Sequence, residues 1–326
     1  MTTTVSPEPI MRIAAGFMAA KHLFAASELG IFEALGDAPA TLEALAARTG
    51  LTRRSTRISA DAMVALGLLE RDDDHYRNSP AATAYLAGGD SDLRPLLTFW
   101  DQISYPSWCT LTQALTTGVV REIVLEDAEH QRIACAGIEA VLAGPAHALT
   151  EMLDGHHRLL DIGGGTGSWS IAAVNRHPQL EATVVDLPVV TEFARKRIAE
   201  AGCADRIQVV AANALEDPLP GDHDVLLVAN VIHYYSPETN LELLRRIRKA
   251  APPNARLLLA DFWTDPTHTQ PLHAALMAGE FAVHVREGDV YSVDEVAGWL
   301  GETGWDFQGH QPLVGPQSLI TATARG

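Results

Sequence analysis

Apolar residues follow two different patterns along this chain. Residues 11–35 are rich in alanine and carry larger apolar side chains at helical spacing, which predicts closely packed helix. In the second half the apolar residues form short unbroken runs, at 159–160, 184–185, 225–229 and 257–260, which predict buried parallel strands. The pattern therefore predicts an α/β fold, in which a doubly wound, Rossmann-like sheet domain follows a mostly α domain.

The first 90 residues contain the helix caps, helix stop and turn expected of a winged helix. Thr41 is a predicted N-cap and Gly50 a helix stop, and Thr52 precedes a second helix over residues 53–66. Two short strands then flank a turn of three aspartates at 72–74. Arginines on the second helix would favour DNA binding, but the acidic wing opposes it. We therefore expect no nucleic-acid partner.

Composition agrees with that expectation. Among 326 residues, 41 are acidic and 24 basic, which gives a net charge of −17 and disfavours phosphate backbones and anionic lipid surfaces. The start of the chain lacks a signal-peptide pattern, and no apolar run approaches the ~20 residues of a membrane span. Cys109, Cys135 and Cys203 are predicted to be small buried residues rather than disulfide partners. These features predict a cytoplasmic protein without a membrane partner.

Residues 161–167 combine an acidic residue with glycines at alternate positions. Gly163, Gly165 and Gly167 predict a tight turn after a strand, and Asp161 would repel a pyrophosphate but suits a cationic ligand. Asp186 ends the next strand, where a carboxylate can accept hydrogen bonds from a ribose diol. The third glycine of a dinucleotide fingerprint would fall at Ser168, and no P-loop is present. The spacing predicts a nucleoside site, and the alternative is a glycine turn without a ligand.

The Asp-x-Gly-x-Gly-x-Gly segment resembles motif I of S-adenosylmethionine-dependent methyltransferases. Together with residues 211–215, 224–238, 255–262 and 288–295, it resembles the plant-caffeate-type class of small-molecule O-methyltransferases, in its bacterial natural-product branch. The resemblance spans about residues 10–322. It implies S-adenosylmethionine as donor, S-adenosylhomocysteine as product, and a homodimer formed through the amino-terminal domain.

The sequence patterns and the resemblance together predict three domains and one cofactor site. Residues 1–90 are the predicted winged-helix dimerisation domain, 91–150 are connecting helices, and 151–326 are the catalytic domain. The predicted cofactor-binding residues are Asp161, Gly163, Gly165, Gly167, Asp186, Leu187, Asn213, Ala214 and Asn230. Where the plant-type pattern has Gly-Asp, this chain has Ala212 and Asn213, so an uncharged amide would serve the adenine region.

His233 is the predicted catalytic base. It follows the strand at 225–229, and catalytic residues of doubly wound sheets gather where strands end. An imidazole has a pKa of about 6.5 and a phenol of about 10, so full proton transfer in the ground state would cost about 5 kcal/mol. The proton should therefore move together with the methyl group, unless a carboxylate raises the basicity of the histidine.

Asp261 is the carboxylate predicted to orient His233. It ends the next strand, 28 residues later, at a spacing where the plant-type enzymes have a glutamate. Those enzymes have a second glutamate where this chain has Val290. Glu280 and Asp289 are the two candidates for its place, and the sequence leaves the choice between them open. The plant-type Asp-Trp after the histidine is Tyr234-Tyr235 here.

Large side chains in the connecting segment predict a pocket for a small aromatic acceptor, with plain core packing as the alternative. The predicted substrate-binding residues, which rest mainly on the resemblance, are Trp100, Tyr105, Trp108, Met277, Phe281 and His284. No metal-site motif occurs, so we expect metal-independent methylation of a phenolic hydroxyl. Two alternatives remain open. One is methylation of carbon or nitrogen, or a non-methylating reaction on the same fold; the other is a winged-helix regulator that senses the cofactor.

Overall fold

The computed structural model describes residues 5–36, 38–89, 91–120 and 128–326, and these form two compact units. The helical unit contains the described residues up to Pro106, together with residues 128–140. The sheet unit contains residues 107–120 and Val141–Gly326. The predicted domain limits at residues 90 and 150 stay a prediction.

The helical unit combines short helices with a small antiparallel sheet. Its elements are α1 (Glu8–Ala14), α2 (Gly16–Glu28), α3 (Ile31–Leu35), β1 (Ala40–Thr41), α4 (Leu42–Thr49), α5 (Arg53–Ala65), β2 (Leu69–Asp72), β3 (His75–Asn78), α6 (Pro80–Leu86) and α7 (Arg94–Phe99). The strands lie in the order β1-β3-β2. The Thr41 side chain accepts a hydrogen bond from the Ala44 amide, and the Thr52 side chain accepts one from Ser55. Gly50 ends α4 in the left-handed conformation, so both predicted caps and this stop are present.

The predicted helix over residues 11–35 is in fact three helices. Gly30 has a φ of 69° at the start of α3, where a side chain would be strained, and this turns the chain out of α2. In α5, the second helix of the winged-helix pattern, Arg53 pairs with Glu43 and Arg57 pairs with Asp61. These ion pairs reduce the positive charge that the winged helix could offer to a nucleic acid.

A run of helices follows α7. A π-helical turn at Trp100–Ser104 leads into α8 (Tyr105–Trp108), and α9 (Leu111–Thr117) and α10 (Ala128–Leu149) come later in the chain. By length and composition alone, the segment Glu129–Leu153 is apolar enough to cross a membrane, contrary to expectation. One such helix is weak evidence for a membrane protein, and 44% of its apolar window is buried in the structure.

The sheet unit is a seven-stranded sheet with helices on both faces. Its elements are β4 (Arg158–Ile162), α11 (Ser168–Arg176), β5 (Glu181–Asp186), α12 (Pro188–Glu200), β6 (Ile207–Ala211), β7 (Val225–Ala229), α13 (Pro237–Ala250), β8 (Arg256–Asp261), α14 (Leu272–His284), α15 (Val293–Glu302), β9 (Trp305–Pro312) and β10 (Ser318–Ala324). The strand order is β6-β5-β4-β7-β8-β10-β9, and β10 runs antiparallel to both neighbours. The order reverses between β4 and β7, and ligands of doubly wound sheets bind at such a point.

Two buried clusters cover the faces of this sheet. Trp299 and Trp305 belong to the cluster on one face, and Trp169 belongs to that on the other.

The prediction that the cysteines are buried holds for Cys203 but is wrong for Cys109, which is exposed. Cys135 is intermediate in exposure. All three are free thiols. Cys109 is exposed because it follows α8 at the start of a turn rather than lying within a packed helix.

Candidate active site

The glycine turn after β4 takes a conformation that requires glycine. Gly163, Gly165 and Gly167 have φ values of 69°, 57° and 82°. A β-carbon at Gly163 would stand 2.5 Å from the Val231 side chain, whereas one at Gly165 would enter open space. The backbone at Gly163 therefore fits closely against the Val231 side chain, two residues after β7, and the turn leaves room for a ligand at Gly165. The helix α11 begins directly after the turn, with Gly167 at its N-cap.

Asp186 joins the glycine turn to the next strand. One carboxylate oxygen accepts a hydrogen bond from the Gly165 amide at 2.8 Å, and the other accepts one from the Leu187 amide at 2.7 Å. Burial raises the pKa of Asp186, and these two amides oppose the rise. Each oxygen keeps a further lone pair, so the carboxylate can hold the turn and still accept hydrogen bonds from a diol.

Asp161 lies beneath the turn and is fully buried. Its carboxylate accepts a hydrogen bond from the Ser170 hydroxyl at 2.7 Å, in the first turn of α11. A β-carbon at Gly164 would stand 2.7 Å from this carboxyl group. Burial raises the pKa of Asp161 to about 7, and Asp186 adds to the rise. In this position the carboxyl group supports the backbone of the turn, and its predicted contact with the cofactor stays a prediction.

The other predicted cofactor residues lie at the same edge of the sheet. Leu187 is half exposed beside Asp186. Asn213 follows β6 and closes a local turn, because its side-chain oxygen accepts a hydrogen bond from the Leu215 amide. Ala214 follows it, and its carbonyl oxygen accepts a hydrogen bond from Arg246. Asn230 follows β7 with a φ of 56°, and its side-chain oxygen accepts a hydrogen bond from Gln317.

These features fit a nucleoside donor with a cationic centre. The open space at Gly165 and the carboxylate of Asp186 suit a ribose, and the exposed Leu187 offers an apolar surface to a base. The edge holds carboxylates rather than a phosphate-binding loop, which matches a ligand without a triphosphate.

His233 and Asp261 are in direct contact. The His233 Nδ1 and the Asp261 Oδ1 are 2.7 Å apart, and both residues are buried, with 5% and 1% exposure. His233 lies on a 3-10 turn (Ile232–Tyr234) after β7, and Asp261 ends β8. Because a carboxylate accepts hydrogen bonds, Nδ1 carries the proton in neutral His233, and the Nε2 lone pair remains available.

Aromatic rings surround the His233 imidazole. The Phe281 ring stacks on it with centroids 3.9 Å apart and planes 11° apart, and the Tyr234 ring lies 4.5 Å away at 41°. Phe262 lies 6.3 Å away. The imidazole is therefore fixed at one edge by a carboxylate and on one face by a stacked ring.

Two polar residues that the sequence analysis did not single out hold the turn of His233. The fully buried Asn240 donates hydrogen bonds to the carbonyl oxygens of Ile232 and Tyr235, at 2.9 Å and 3.1 Å. The Tyr291 hydroxyl donates a hydrogen bond to the Tyr235 carbonyl as well. A signal for Asn240 was present, since it is a polar residue on the apolar face of the strongly amphipathic helix α13.

The predicted acceptor-binding residues are divided between the two units. Trp100 and Tyr105 belong to the helical unit, at the starts of the π-helical turn and of α8. Trp108 belongs to the sheet unit, as do Met277, Phe281 and His284 on α14.

The two candidates for the missing second carboxylate have different surroundings. Glu280 accepts a hydrogen bond from the Trp108 indole, and its other oxygen lies 3.3 Å from the His284 Nε2. Asp289 accepts a hydrogen bond from the Val290 amide. The carboxylate in contact with His233 is that of Asp261. In the part of the chain that the structure describes, no group of three or more His, Cys, Asp or Glu side chains could hold a metal ion.

Comparison with known proteins identifies the family. A family profile for an O-methyltransferase domain matches residues 125–306, and one for an O-methyltransferase dimerisation domain matches residues 11–88. The 3-hydroxy-5-methyl-1-naphthoate 3-O-methyltransferase of Streptomyces sahachiroi is 32% identical over 308 residues, which cover 91% of this chain and 89% of that protein.

Two further relatives widen the comparison. The N,N-dimethyltransferase OxyT of Streptomyces rimosus is 31% identical over 322 residues, 93% of each chain. The crystal structure of the S-adenosylmethionine-dependent methyltransferase SibL in its apo form has a TM-score of 0.84 and 30% identity, and covers 98% of this chain and 100% of that one. The chain belongs to the O-methyltransferase family and is a methyltransferase that uses S-adenosylmethionine.

Proposed function

We propose that this enzyme transfers a methyl group to a phenolic hydroxyl of a small aromatic natural product, with His233 as the general base and no metal ion. The observation that carries the proposal is the buried contact between His233 Nδ1 and Asp261 Oδ1, 2.7 Å long, at the edge of the sheet where the glycine turn lies. In a histidine held in this way, the Nε2 lone pair is available to accept a proton from a group beside it.

The proposed cofactor residues hold the donor beside this base. Asp186 accepts hydrogen bonds from the ribose hydroxyls, Leu187 lies against the adenine, and the turn from Gly163 to Gly167 lies along the nucleoside. Asn213, Ala214 and Asn230 complete the same edge. When bound, S-adenosylmethionine supplies a methyl group on a sulfonium that is already activated.

The protein's own part in the step is orientation and proton transfer. His233 Nε2 accepts the hydroxyl proton as the methyl group moves, and Asp261 stabilises the imidazolium that forms. Holding two reactants in line is worth about 7–11 kcal/mol in favourable cases, so most of the acceleration comes from positioning. Trp100, Tyr105, Trp108, Met277, Phe281 and His284 are the proposed acceptor-binding residues.

Transfer to nitrogen or carbon is the second candidate. OxyT, at 31% identity, is an N,N-dimethyltransferase, and Val290 lacks the carboxylate that the plant-type enzymes have. An amine is a better nucleophile than a neutral phenol and needs less help from a base. The position of the new methyl group on the product distinguishes the two candidates.

We also propose that the enzyme is a cytoplasmic homodimer. The match to a dimerisation domain over residues 11–88 supports the dimer. So do the apolar side chains that α1 and α2 expose, which are Ile10, Met11, Ile13, Phe17 and Met18.

A panel of phenols, amines and activated aromatic carbons, assayed for S-adenosylhomocysteine release, tests the proposed reaction. We expect turnover with phenols and, in His233→Ala, a loss of about 10²–10⁴-fold. The affinity for S-adenosylhomocysteine should be unchanged, because the base contacts the acceptor. Near wild-type turnover of a phenol by His233→Ala at pH 7 would exclude the base.

A further inference from the structure

Helix α14 places an aromatic ring on the proposed base. Phe281 is 7% exposed, and its ring stacks on His233 with only 11° between the planes. The hydrogen bond to Asp261 fixes one edge of the imidazole but leaves the ring free to tilt about that bond. The stacked phenyl ring removes this freedom. The position of α14 therefore decides where the Nε2 lone pair points.

Trp108 packs directly on the backbone of α14. A β-carbon at Gly279 would stand 2.6 Å from the indole Cη2, so only glycine lets the ring lie this close to the helix. The indole Nε1 donates a hydrogen bond to the carboxylate of Glu280, the next residue. The indole thus contacts two consecutive positions of α14, immediately before Phe281.

Each carboxylate oxygen of Glu280 has a polar neighbour. Oε2 accepts the indole hydrogen bond, and Oε1 lies 3.3 Å from the Nε2 of His284, one turn further along α14. The side chains of Glu280 and His284 are 13% and 6% exposed. Burial of a carboxylate costs free energy unless its partners are well placed, so the indole hydrogen bond from outside the helix favours one rotation of α14 over others.

We propose that Trp108, Gly279 and Glu280 are positioning residues for methyl transfer. They fix the rotation of α14 and, through Phe281, the tilt of the His233 ring. This inference rests on the proposed role of His233 as the base. Trp108 would then orient the base in addition to contacting the acceptor. Glu280 would affect the orientation of His233 through α14 rather than by direct contact.

Trp108→Phe, Glu280→Gln and Glu280→Ala test the proposal. Trp108→Phe keeps the ring but loses the hydrogen bond, and we expect kcat to fall by about 10-fold, since small displacements of a reacting group are costly. Glu280→Ala should cost at least as much, whereas Glu280→Gln keeps an oxygen for the indole and should recover most of the loss. The affinity for S-adenosylhomocysteine should change less than twofold in all three variants, and the acceptor KM should change less than twofold in the two Glu280 variants.

A double-mutant cycle shows whether the two residues act through one contact. The combined Trp108→Phe and Glu280→Ala variant should be no slower than Glu280→Ala alone. The dependence of kcat on pH should persist in all variants, with a lower plateau, because the base still functions but is aligned less often. Trp305→Phe is the matched control. It loses an indole hydrogen bond to the Leu244 carbonyl at the opposite end of the strands, and should keep its kcat.

The outcomes separate this inference from the proposed function. If His233→Ala is inactive while Trp108→Phe and Glu280→Ala turn over as the wild type does, the positioning role is wrong and the base stands. A rise in acceptor KM at unchanged kcat would overturn the inference too, because Trp108 would then only bind the acceptor. If His233→Ala is fully active, the proposed function is wrong, and the positioning role that rests on it is wrong as well. Should Trp108→Phe not fold, the two Glu280 variants decide.

Discussion

The α-carbon of Gly288 lies against the backbone of His233, and a β-carbon at Gly288 would stand 1.9 Å from the His233 carbonyl oxygen. Because that oxygen belongs to the backbone, it cannot move away without shifting the turn that carries the imidazole. Gly288→Ala should therefore lower kcat by about 10-fold to 100-fold while leaving S-adenosylhomocysteine affinity unchanged. Steady-state kinetics and calorimetry measure both. Gly298→Ala, in α15 with nothing within 4 Å of its β-carbon, is the control and should retain full activity.

Asp186 provides a test of the cofactor site. Asp186→Ala removes the carboxylate that accepts a hydrogen bond from the Gly165 amide and, in our proposal, from the ribose hydroxyls. Unpaired polar groups cost about 1–3 kcal/mol, so the S-adenosylhomocysteine dissociation constant should rise by about 5-fold to 150-fold in calorimetry. Asp205 is exposed, and Asp205→Ala is the matched control, which should bind S-adenosylhomocysteine as the wild type does. Unchanged affinity in Asp186→Ala would remove this residue from the site.

Asp161 should make stability depend on pH in an unusual direction for a carboxyl group. Its pKa is raised from 3.8 to about 7, mainly by burial, so the folded state retains a proton that the unfolded state has lost between these values. Stability from this group is therefore full below about pH 4 and declines as pH rises toward 7, by on the order of 4 kcal/mol at most.

Asp161→Asn imitates the protonated side chain and isolates that contribution. Urea unfolding should give nearly equal free energies for the two proteins at pH 4, and a more stable variant at pH 8. The difference between the proteins is the quantity to compare, because other groups titrate in both. A wild type as stable as the variant at pH 8 would show that Asp161 is ionised at little cost.

Asp261→Asn should cost less than His233→Ala. The amide keeps the shape of the side chain but loses the charge that favours the imidazolium and the preference for a proton on Nδ1. We expect kcat to fall by about 10-fold to 10³-fold in a pH-rate profile. The wild-type kcat should depend on pH, and His233→Ala should lack this dependence. A profile of the same shape in wild type and His233→Ala would contradict the assignment.

Charges introduced on the exposed apolar surface of α1 and α2 should dissociate the proposed dimer. Ile13 and Phe17 are 78% and 51% exposed, and burying a carboxylate at either place in an interface is costly. The Ile13→Glu, Phe17→Glu double variant should give a monomer in light scattering at micromolar concentration. Phe307→Glu, on the edge strand β9, should behave as the wild type. A monomeric wild type would overturn the dimer itself.

The strand ends were predictable from the sequence. The runs before Asp186 and Asp261 are apolar and short, so their ends, and with them the edge of the sheet, follow from the pattern. His233 and Asp261 could be paired in advance because adjacent parallel strands bring their carboxyl ends together. The breaks between α1, α2 and α3 were harder to predict from the sequence, because the alanine-rich segment continues a helical pattern across them.

The surroundings of the histidine ring could not be predicted in the same way. Phe281 was expected in the acceptor pocket, and its stacking on His233 depends on how α14 packs over the sheet unit. Likewise, the hydrogen bond between Trp108 and Glu280 joins residues 172 positions apart, and neither strand periodicity nor helix spacing relates them. Such contacts depend on tertiary packing, which the hydrophobic periodicity of one sequence does not reveal.

The path of the chain between the two units has a consequence for how such enzymes recombine. Residues 107–120 group with the sheet unit, although residues 128–140 beyond them group with the helical unit. A chimera joined at residue 150 would therefore take its Trp108 from one parent and its Gly279 and Glu280 from the other. Functional shuffling within the family would then require parents that match at these positions, or a crossover that exchanges residues 107–120 together with α14.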